Sequence, residues 1–103
     1  MDSIITKYTK NCMFCGKPCH TEHHFVFGRG IRNLADEDGI KGPACDECHT
    51  IGKLSDRIHD NPMAEKLSKM LGQLAFEKSK VAIGMTEDEA REAFRKRYGR
   101  SYL

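Results

Sequence analysis

The most regular hydrophobic pattern lies in the C-terminal part of the chain, residues 61–103. Apolar side chains recur there at the three- and four-residue spacing of a helix face, and the set is Met63, Leu67, Met70, Leu71 and Leu74. Asn61 followed by Pro62 is a typical helix start, because an Asn side chain caps free N–H groups and Pro suits the first turn. We therefore predict a helix from Pro62, with the apolar stripe and the methionines in the core.

A second helix is predicted to begin at Thr86. The run from Thr86 to Glu89 is a capping box, in which each end can satisfy the other's backbone N–H. One face of the following segment carries Ala90, Ala93, Phe94 and Tyr98. Gly99 is a natural stop for this helix, because glycine readily adopts the left-handed conformation that ends helices.

The first 60 residues are patterned differently and hold all five cysteines and all five histidines. We predict a turn-rich knuckle over 12–20, a short strand over 23–27 and an irregular glycine-rich loop over 28–42. A second short strand over 41–44 would lead into the second cysteine pair, and a helix is predicted over 46–58.

At 103 residues, with 39% apolar, the chain is expected to form one domain with a thin core. Small folds of this kind usually need a cross-link or a metal. The odd number of cysteines and the lack of an N-terminal signal-like segment favour metal over disulfides and a cytoplasmic location. No stretch is long and apolar enough to suggest a membrane span.

Two C-x-x-C pairs stand about 30 residues apart, which is the spacing of a four-thiolate zinc site. We predict that Cys12, Cys15, Cys45 and Cys48 bind a structural Zn²⁺ and that the metal contributes folding free energy. Cys19 or His20 replacing one of these ligands stays an alternative. A buried Cys19 thiol and a structural or exposed His20 are the readings we favour.

The histidines outside this set suggest a second metal site. His23 and His24 are adjacent, so on a strand their side chains point to opposite faces, and one can bind a metal while the other acts as a base. His49 follows the second cysteine pair and can meet one of them at a divalent cation. His59 lies ten residues further, about 80° away on a continuous helix. It would therefore need a bend to join the site and is otherwise a cap or surface histidine.

The order C-x-x-C, His-His, C-x-x-C-His resembles the zinc-containing branch of the HNH endonucleases, and small phage-type members most closely. The resemblance extends from Cys12 through most of the chain. It includes the segment 23–30, the His-Asp-Asn step at 59–61 and the Tyr-Gly-Arg-Ser-Tyr-Leu tail at 98–103.

The resemblance implies a small zinc-stabilised α+β domain, with a ββα-metal finger core in residues 12–60 and a helical extension in 61–103. It implies that His24 is the general base and that His23 and His49 bind a catalytic Mg²⁺, Mn²⁺ or similar cation. The expected reaction is hydrolysis of DNA phosphodiester bonds, leaving 5′-phosphates. A phage-encoded member would act in the host cytoplasm.

One part of the family pattern is missing. A middle Asn normally precedes the second cysteine pair, whereas here the only Asn between His24 and Cys45 is Asn33. Asn33 is therefore the candidate for orienting His24, and a backbone carbonyl is the alternative.

The net charge of +2 says little about partners, but basic residues crowd the C-terminus. They are explained either by phosphate contact or by a solvated helix end whose dipole favours cations. The candidate DNA contacts are Arg29, Arg32, Arg95 and Arg97. Whether the chain is a monomer or a homodimer stays open.

Two other functions remain to be weighed. A non-catalytic zinc adaptor for nucleic acid or protein would use the same cysteines and the basic C-terminal helix, but it has no need of three further histidines. A redox protein using its C-x-x-C pairs is disfavoured, because the chain lacks the βαβ pattern that accompanies such motifs.

Overall fold

The computed structural model describes all residues from 1 to 103 and shows a small, compact α+β protein. Its elements follow the order β1 (Glu22–His24), α1 (Ile31–Asp38), β2 (Lys41–Pro43), a π-helical turn (Glu47–Ile51), α2 (Pro62–Ala82) and α3 (Glu87–Tyr98). None of the helices is long and apolar enough to cross a membrane.

The two strands pair antiparallel, with His23 opposite Gly42 and His24 opposite Lys41. Both predicted strands are therefore present, although β1 ends at His24 rather than at Phe27. The N-terminal segment joins this hairpin, because the backbone N–H of Ile4 donates to the carbonyl of Gly39. The hairpin thus fixes where the histidine pair stands.

The stretch predicted to be an irregular loop contains helix α1, so that prediction was wrong. Gly30 and Gly39 bracket the helix with positive φ angles of 78° and 73°. The N–H of Gly39 caps the carbonyls of Ala35 and Asp36. Ile31 and Leu34 pack against the core, and Ala35 is fully buried. The glycines that suggested a loop are the two ends of a short amphipathic helix.

The helix predicted over 46–58 is also wrong for most of its length. Only Glu47–Ile51 is helical, and Gly52 ends it by donating its N–H to the carbonyl of Glu47. The chain then turns back, so that the N–H groups of Ile58 and His59 donate to the carbonyls of Cys48 and His49. This return brings residue 59 beside residue 49.

The two C-terminal helices begin as predicted. The Asn61 side chain accepts from the N–H of Ala64, and both hydrogen bonds of the capping box between Thr86 and Glu89 are formed. Gly99 ends α3 in the left-handed conformation.

The face of α2 that enters the core is not the predicted one. Its buried residues are Ser68, Gly72, Gln73, Phe76 and Glu77. The predicted apolar stripe lies in solvent instead: Met63 is 74% exposed, Leu67 57% and Leu74 53%. The expectation that the methionines are core residues is therefore wrong, whereas Phe94 is fully buried as expected.

The core forms where α2, α3 and α1 close over the hairpin. It contains Phe25, Val26, Ala35, Ile40, Phe76, Phe94 and Tyr98. Gly72 allows α2 to approach closely, since a Cβ built there would lie 2.7 Å from Val26 Cγ2 and 3.0 Å from Ile40 Cγ2. Close packing at this point places the inner face of α2 against the histidine strand.

Candidate metal centres and the His24 pocket

The four cysteines of the two C-x-x-C pairs meet at one point. The Sγ atoms of Cys12, Cys15, Cys45 and Cys48 all lie within 4.8 Å of one another, close enough to hold one metal ion such as zinc. A tight turn presents the first pair, since the N–H of Gly16 donates to the carbonyl of Cys12. The N–H of Met13 donates to the carbonyl of Pro43, which joins this turn to the end of β2.

The thiols of this cluster are shifted in opposite directions. Burial opposes ionisation of Cys12, but backbone N–H groups outweigh it and lower its pKa to about 6. Burial and the neighbouring thiols raise the pKa of Cys48. One thiolate among protonated neighbours is a set whose remaining protons leave when a cation binds. Cys19 and His20 lie outside the four-sulfur set, and His20 is exposed.

A second cluster brings together His23, His49 and His59. One nitrogen from each ring lies within 4.8 Å of the others, and the Nε2 atoms of His49 and His59 are 2.9 Å apart. The bend that His59 needed is the return of the chain after the π-helical turn. The structure therefore places both predicted metal ligands and the third candidate at one site, which we call the histidine triad.

His23 carries the clearest mark of a missing partner. Its ring is fully buried, and its Nε2 lies 2.7 Å from Ser68 Oγ. Because the Ser68 hydroxyl donates its proton to the carbonyl of Phe25, Nε2 must carry the imidazole hydrogen. Nδ1 is then a buried lone pair without a hydrogen-bond partner. Buried polar atoms are nearly always paired, so this atom fits a metal ligand.

The electrostatics of His23 agree with this role. Burial, followed by the nearby His49 and His59, lowers the pKa of His23 to about 3. Burial also lowers the pKa of His49. These rings are therefore neutral at physiological pH, which is the form that binds metals.

Glu65 holds His59 from behind. Its Oε2 lies 3.3 Å from His59 Nδ1 and also accepts from the backbone N–H of Asp60. A carboxylate on the outer nitrogen fixes the ring and directs the other nitrogen inward. Nothing in the sequence singled out Glu65 or Ser68, because both act from α2 on partners in other elements.

His24 faces a different part of the molecule, as the strand alternation predicted. His23 reaches α2, whereas the Nε2 of His24 donates to Asp36 Oδ1 on α1 at 2.9 Å. Its Nδ1 accepts from Arg32 Nε at 3.3 Å. The hydrogen bond from His24, followed by the contact with Lys41, lowers the pKa of Asp36 to about 2. Asp36 therefore stays ionised and holds one tautomer of His24.

The His24 ring lines an open cavity of about 490 Å³, with Arg32, Asn33, Asp36 and Glu37 as the other lining residues. Asn33 is at this pocket but forms no hydrogen bond with His24. The orienting contact that the sequence assigned to Asn33 is made by Asp36, one helical turn further along α1. No part of the sequence pattern pointed to Asp36, since the segment was interpreted as a loop.

The predicted DNA-contacting arginines have different surroundings. Arg32 is at the His24 pocket, and the exposed Arg29 precedes α1. Arg95 pairs with Glu92 within α3. Arg97 bridges α3 to α1 through Asp38 at 2.6 Å and Glu37 at 2.9 Å, which raises its pKa. Arg97 thus has a structural role, and its contact with DNA stays a prediction.

Comparisons with known proteins give no further guide to this arrangement. No family model matches the chain, and neither the curated proteins nor the solved structures contain a match to it.

Proposed function

We propose that this protein is a metal-dependent endonuclease that hydrolyses phosphodiester bonds in DNA, with a ββα-metal finger of the HNH type. The observation that carries the proposal is the unpaired Nδ1 of His23, buried beside His49 and His59. The neighbouring residue in the chain, His24, is held in one tautomer beside an open pocket. A metal site next to a poised base is the equipment that phosphodiester hydrolysis requires.

The order of the elements supports this proposal. β1 carries His23 and His24, β2 pairs with it antiparallel, and the turn Glu47–Ile51 that follows carries His49. Two strands and a helical turn around a histidine cluster are the parts of a ββα-metal finger. The helical part is shorter here than the sequence predicted.

His23, His49 and His59 would hold the divalent cation. When bound, such a cation supplies Lewis-acid stabilisation of charge on the phosphate. The donor set consists of three neutral imidazoles with no carboxylate among them. Imidazole favours Zn²⁺, Ni²⁺ or similar transition metals, whereas Mg²⁺ prefers oxygen ligands. We therefore expect Mg²⁺, one of the cations first considered, to be a poor occupant.

His24 would act as the general base. Because its Nε2–H donates to Asp36, the lone pair of Nδ1 is the nitrogen that can take a proton from water. The imidazolium formed would be stabilised by the Asp36 carboxylate, as in other histidine–carboxylate pairs.

Arg32 would contribute twice. Without substrate, its Nε donates to His24 Nδ1 and occupies the base. Its side chain is exposed at the pocket, where a phosphate group would attract the guanidinium. Moving to the phosphate would release Nδ1 and place a positive charge on the scissile group.

The test is cleavage of supercoiled plasmid by zinc-loaded protein with added Zn²⁺, Ni²⁺, Mn²⁺ or Mg²⁺. Nicking or linearisation is expected with transition metals, and it should disappear with EDTA and in His24→Ala. His20→Ala is the matched control, because His20 is exposed and outside both clusters. Cleavage that persists in folded His24→Ala would contradict the mechanism. DNA binding without cleavage under every metal would support the zinc adaptor instead.

A further inference from the structure

An apolar stripe on helix α2 is left in solvent. Its large side chains are between 41% and 74% exposed, and they are Met63, Leu67, Leu71, Leu74 and Val81. The stripe runs about 27 Å along the helix at 1.5 Å per residue. Side chains of this size make a patch on the order of 400 Å², which is large for the surface of a small monomer.

The spacing within the stripe is that of a helix-pairing seam. From Leu67 the positions follow steps of four, three, four and three residues, through Leu71, Leu74, Lys78 and Val81. Alternating steps of four and three are typical of a helix that packs along another helix. The side of α2 that packs in its own domain lies opposite, around Gly72 and Phe76.

The apolar surface continues beside α2 into a groove of about 280 Å³. The groove lies between the helix and the first cysteine turn, with Phe14, Ile58, Leu67 and Leu71 among its lining residues. Asp56 stands in its lining as well. Stripe and groove together form a ridge next to a hollow, which is a shape that can accept a copy of itself.

The charges around the stripe indicate which orientation such a copy would take. Lys66 is exposed on the flank of α2 that faces α3, in line with Glu77. At the other end of the same flank, Glu87 and Asp88 edge a cleft shared with Leu74 and Val81. One end of the flank is therefore basic and the other acidic. An antiparallel arrangement about a two-fold axis brings each basic end to an acidic end.

We propose that α2 forms an antiparallel homodimer in which Leu71 packs on the partner's Leu74. Lys66 then lies beside the partner's Glu87 and Asp88. Lys78 comes to the groove edge near the partner's Asp56. A standard interface buries about 800 Å² per partner, somewhat more than half of it apolar. The stripe supplies most of that apolar share, and the proposal does not depend on DNA cleavage.

The experiment is sedimentation equilibrium of the zinc-loaded full chain. Wild type is expected to dimerise, and Leu74→Glu should weaken the dimer about 100-fold, because a symmetric interface buries two unpaired carboxylates. Ile83→Glu is the matched control, since Ile83 is 74% exposed at the end of the same helix but off the stripe. It should leave the dimer unchanged. Zinc content and circular dichroism establish that each variant is folded.

A charge exchange tests the orientation. Lys66→Glu should weaken association, and adding Glu87→Lys to it should restore association. Wild type that is monomeric at roughly 100 μM, where a micromolar Kd gives mostly dimer, would overturn the proposal. Equal effects of Leu74→Glu and Ile83→Glu would overturn it too, and lack of restoration by the double variant would overturn the antiparallel arrangement.

Discussion

At the scale of single residues, His23 belongs both to the interior and to the candidate metal site. Its ring contacts Phe25 and Phe27 edge-on, at centroid distances of 4.7 and 5.8 Å, while its free nitrogen faces two other imidazoles. Protonating this ring places an unpaired charge in the interior, so the folded state excludes the proton.

Acid should therefore destabilise the fold through His23. The unfolded chain binds a proton at the ordinary histidine pKa of about 6.5, whereas the folded chain binds it only near pH 3. The stabilisation is present above pH 6.5 and is lost as pH falls from there toward 3. We expect urea midpoints of protein with one zinc equivalent to fall between pH 7 and pH 5.

The profile of His23→Gln should be flatter over this range, because glutamine keeps a polar partner for Ser68 and does not titrate. His20→Ala should retain the wild-type slope. Zinc content must be followed in parallel, since the thiolate site also competes with protons. Identical slopes for His23→Gln and wild type would assign the acid sensitivity to another group.

Asp36 is expected to act through His24. Asp36→Ala should reduce cleavage by about tenfold or more, short of the roughly 10²–10⁴-fold typical of losing a general base. The physical reason is that the ring loses both its orientation and the charge that stabilises its protonated form. Glu37→Ala is the control from the same pocket, and initial rates of plasmid nicking are the measurement. Equal rates for the two variants would remove Asp36 from the mechanism.

The residues of both sites were predictable only where the chain itself brings them together. The cysteine pairs and the adjacent histidines are local patterns, and their spacing is sufficient to identify them. Asp36, Glu65 and Ser68 act on partners that packing brings near. His59 joined the triad through a turn between residues 52 and 58 that no periodic pattern indicates.

At the scale of elements, α2 shows why hydrophobicity alone misplaced a face. The sequence predicted its boundaries well, because Asn61 and Pro62 are local signals. Its leucine stripe was nevertheless assigned to the core. The helix instead turns a face of small and polar residues toward the hairpin, because close approach needs Gly72 and His23 needs a hydroxyl from Ser68.

Gly72→Val should therefore destabilise the protein. Even the first carbon of the new side chain would lie 2.7 Å from Val26 Cγ2. Overpacking of a filled core costs about 1–3 kcal/mol, partly offset by the poor helix propensity of glycine. Urea denaturation measures the change, and Ala82→Ser at the exposed end of α2 is the control. A Gly72→Val protein as stable as wild type would show that α2 can move away from the hairpin.

At the scale of the whole molecule, the four-cysteine site joins parts of the chain that few other contacts connect. The buried core lies among α1, α2, α3 and the hairpin, whereas the first 20 residues contribute little to it. Zinc binding would close a loop of more than 30 residues between Cys12 and Cys45. A small domain gains much of its stability from such a closure.

Removing zinc should unfold the cysteine region and lower the cooperativity of the remainder. A strong chelator at neutral pH is expected to cause loss of far-UV circular dichroism and rapid proteolysis within the first 60 residues, both reversed by Zn²⁺. Cys45→Ser should behave like chelated wild type. Cys19→Ser is the matched control and should remain folded, since Cys19 is outside the four-sulfur set. Native dichroism in zinc-free protein would make the metal dispensable for the fold.

The four-thiolate site also has a consequence for the amount of protein in a cell. A chain that folds only with zinc is exposed to proteases whenever the supply of free zinc falls below what its thiolates require. Newly made copies would then be degraded while existing loaded copies persist. The steady-state level of this protein would follow the zinc status of the cell, without a dedicated regulator.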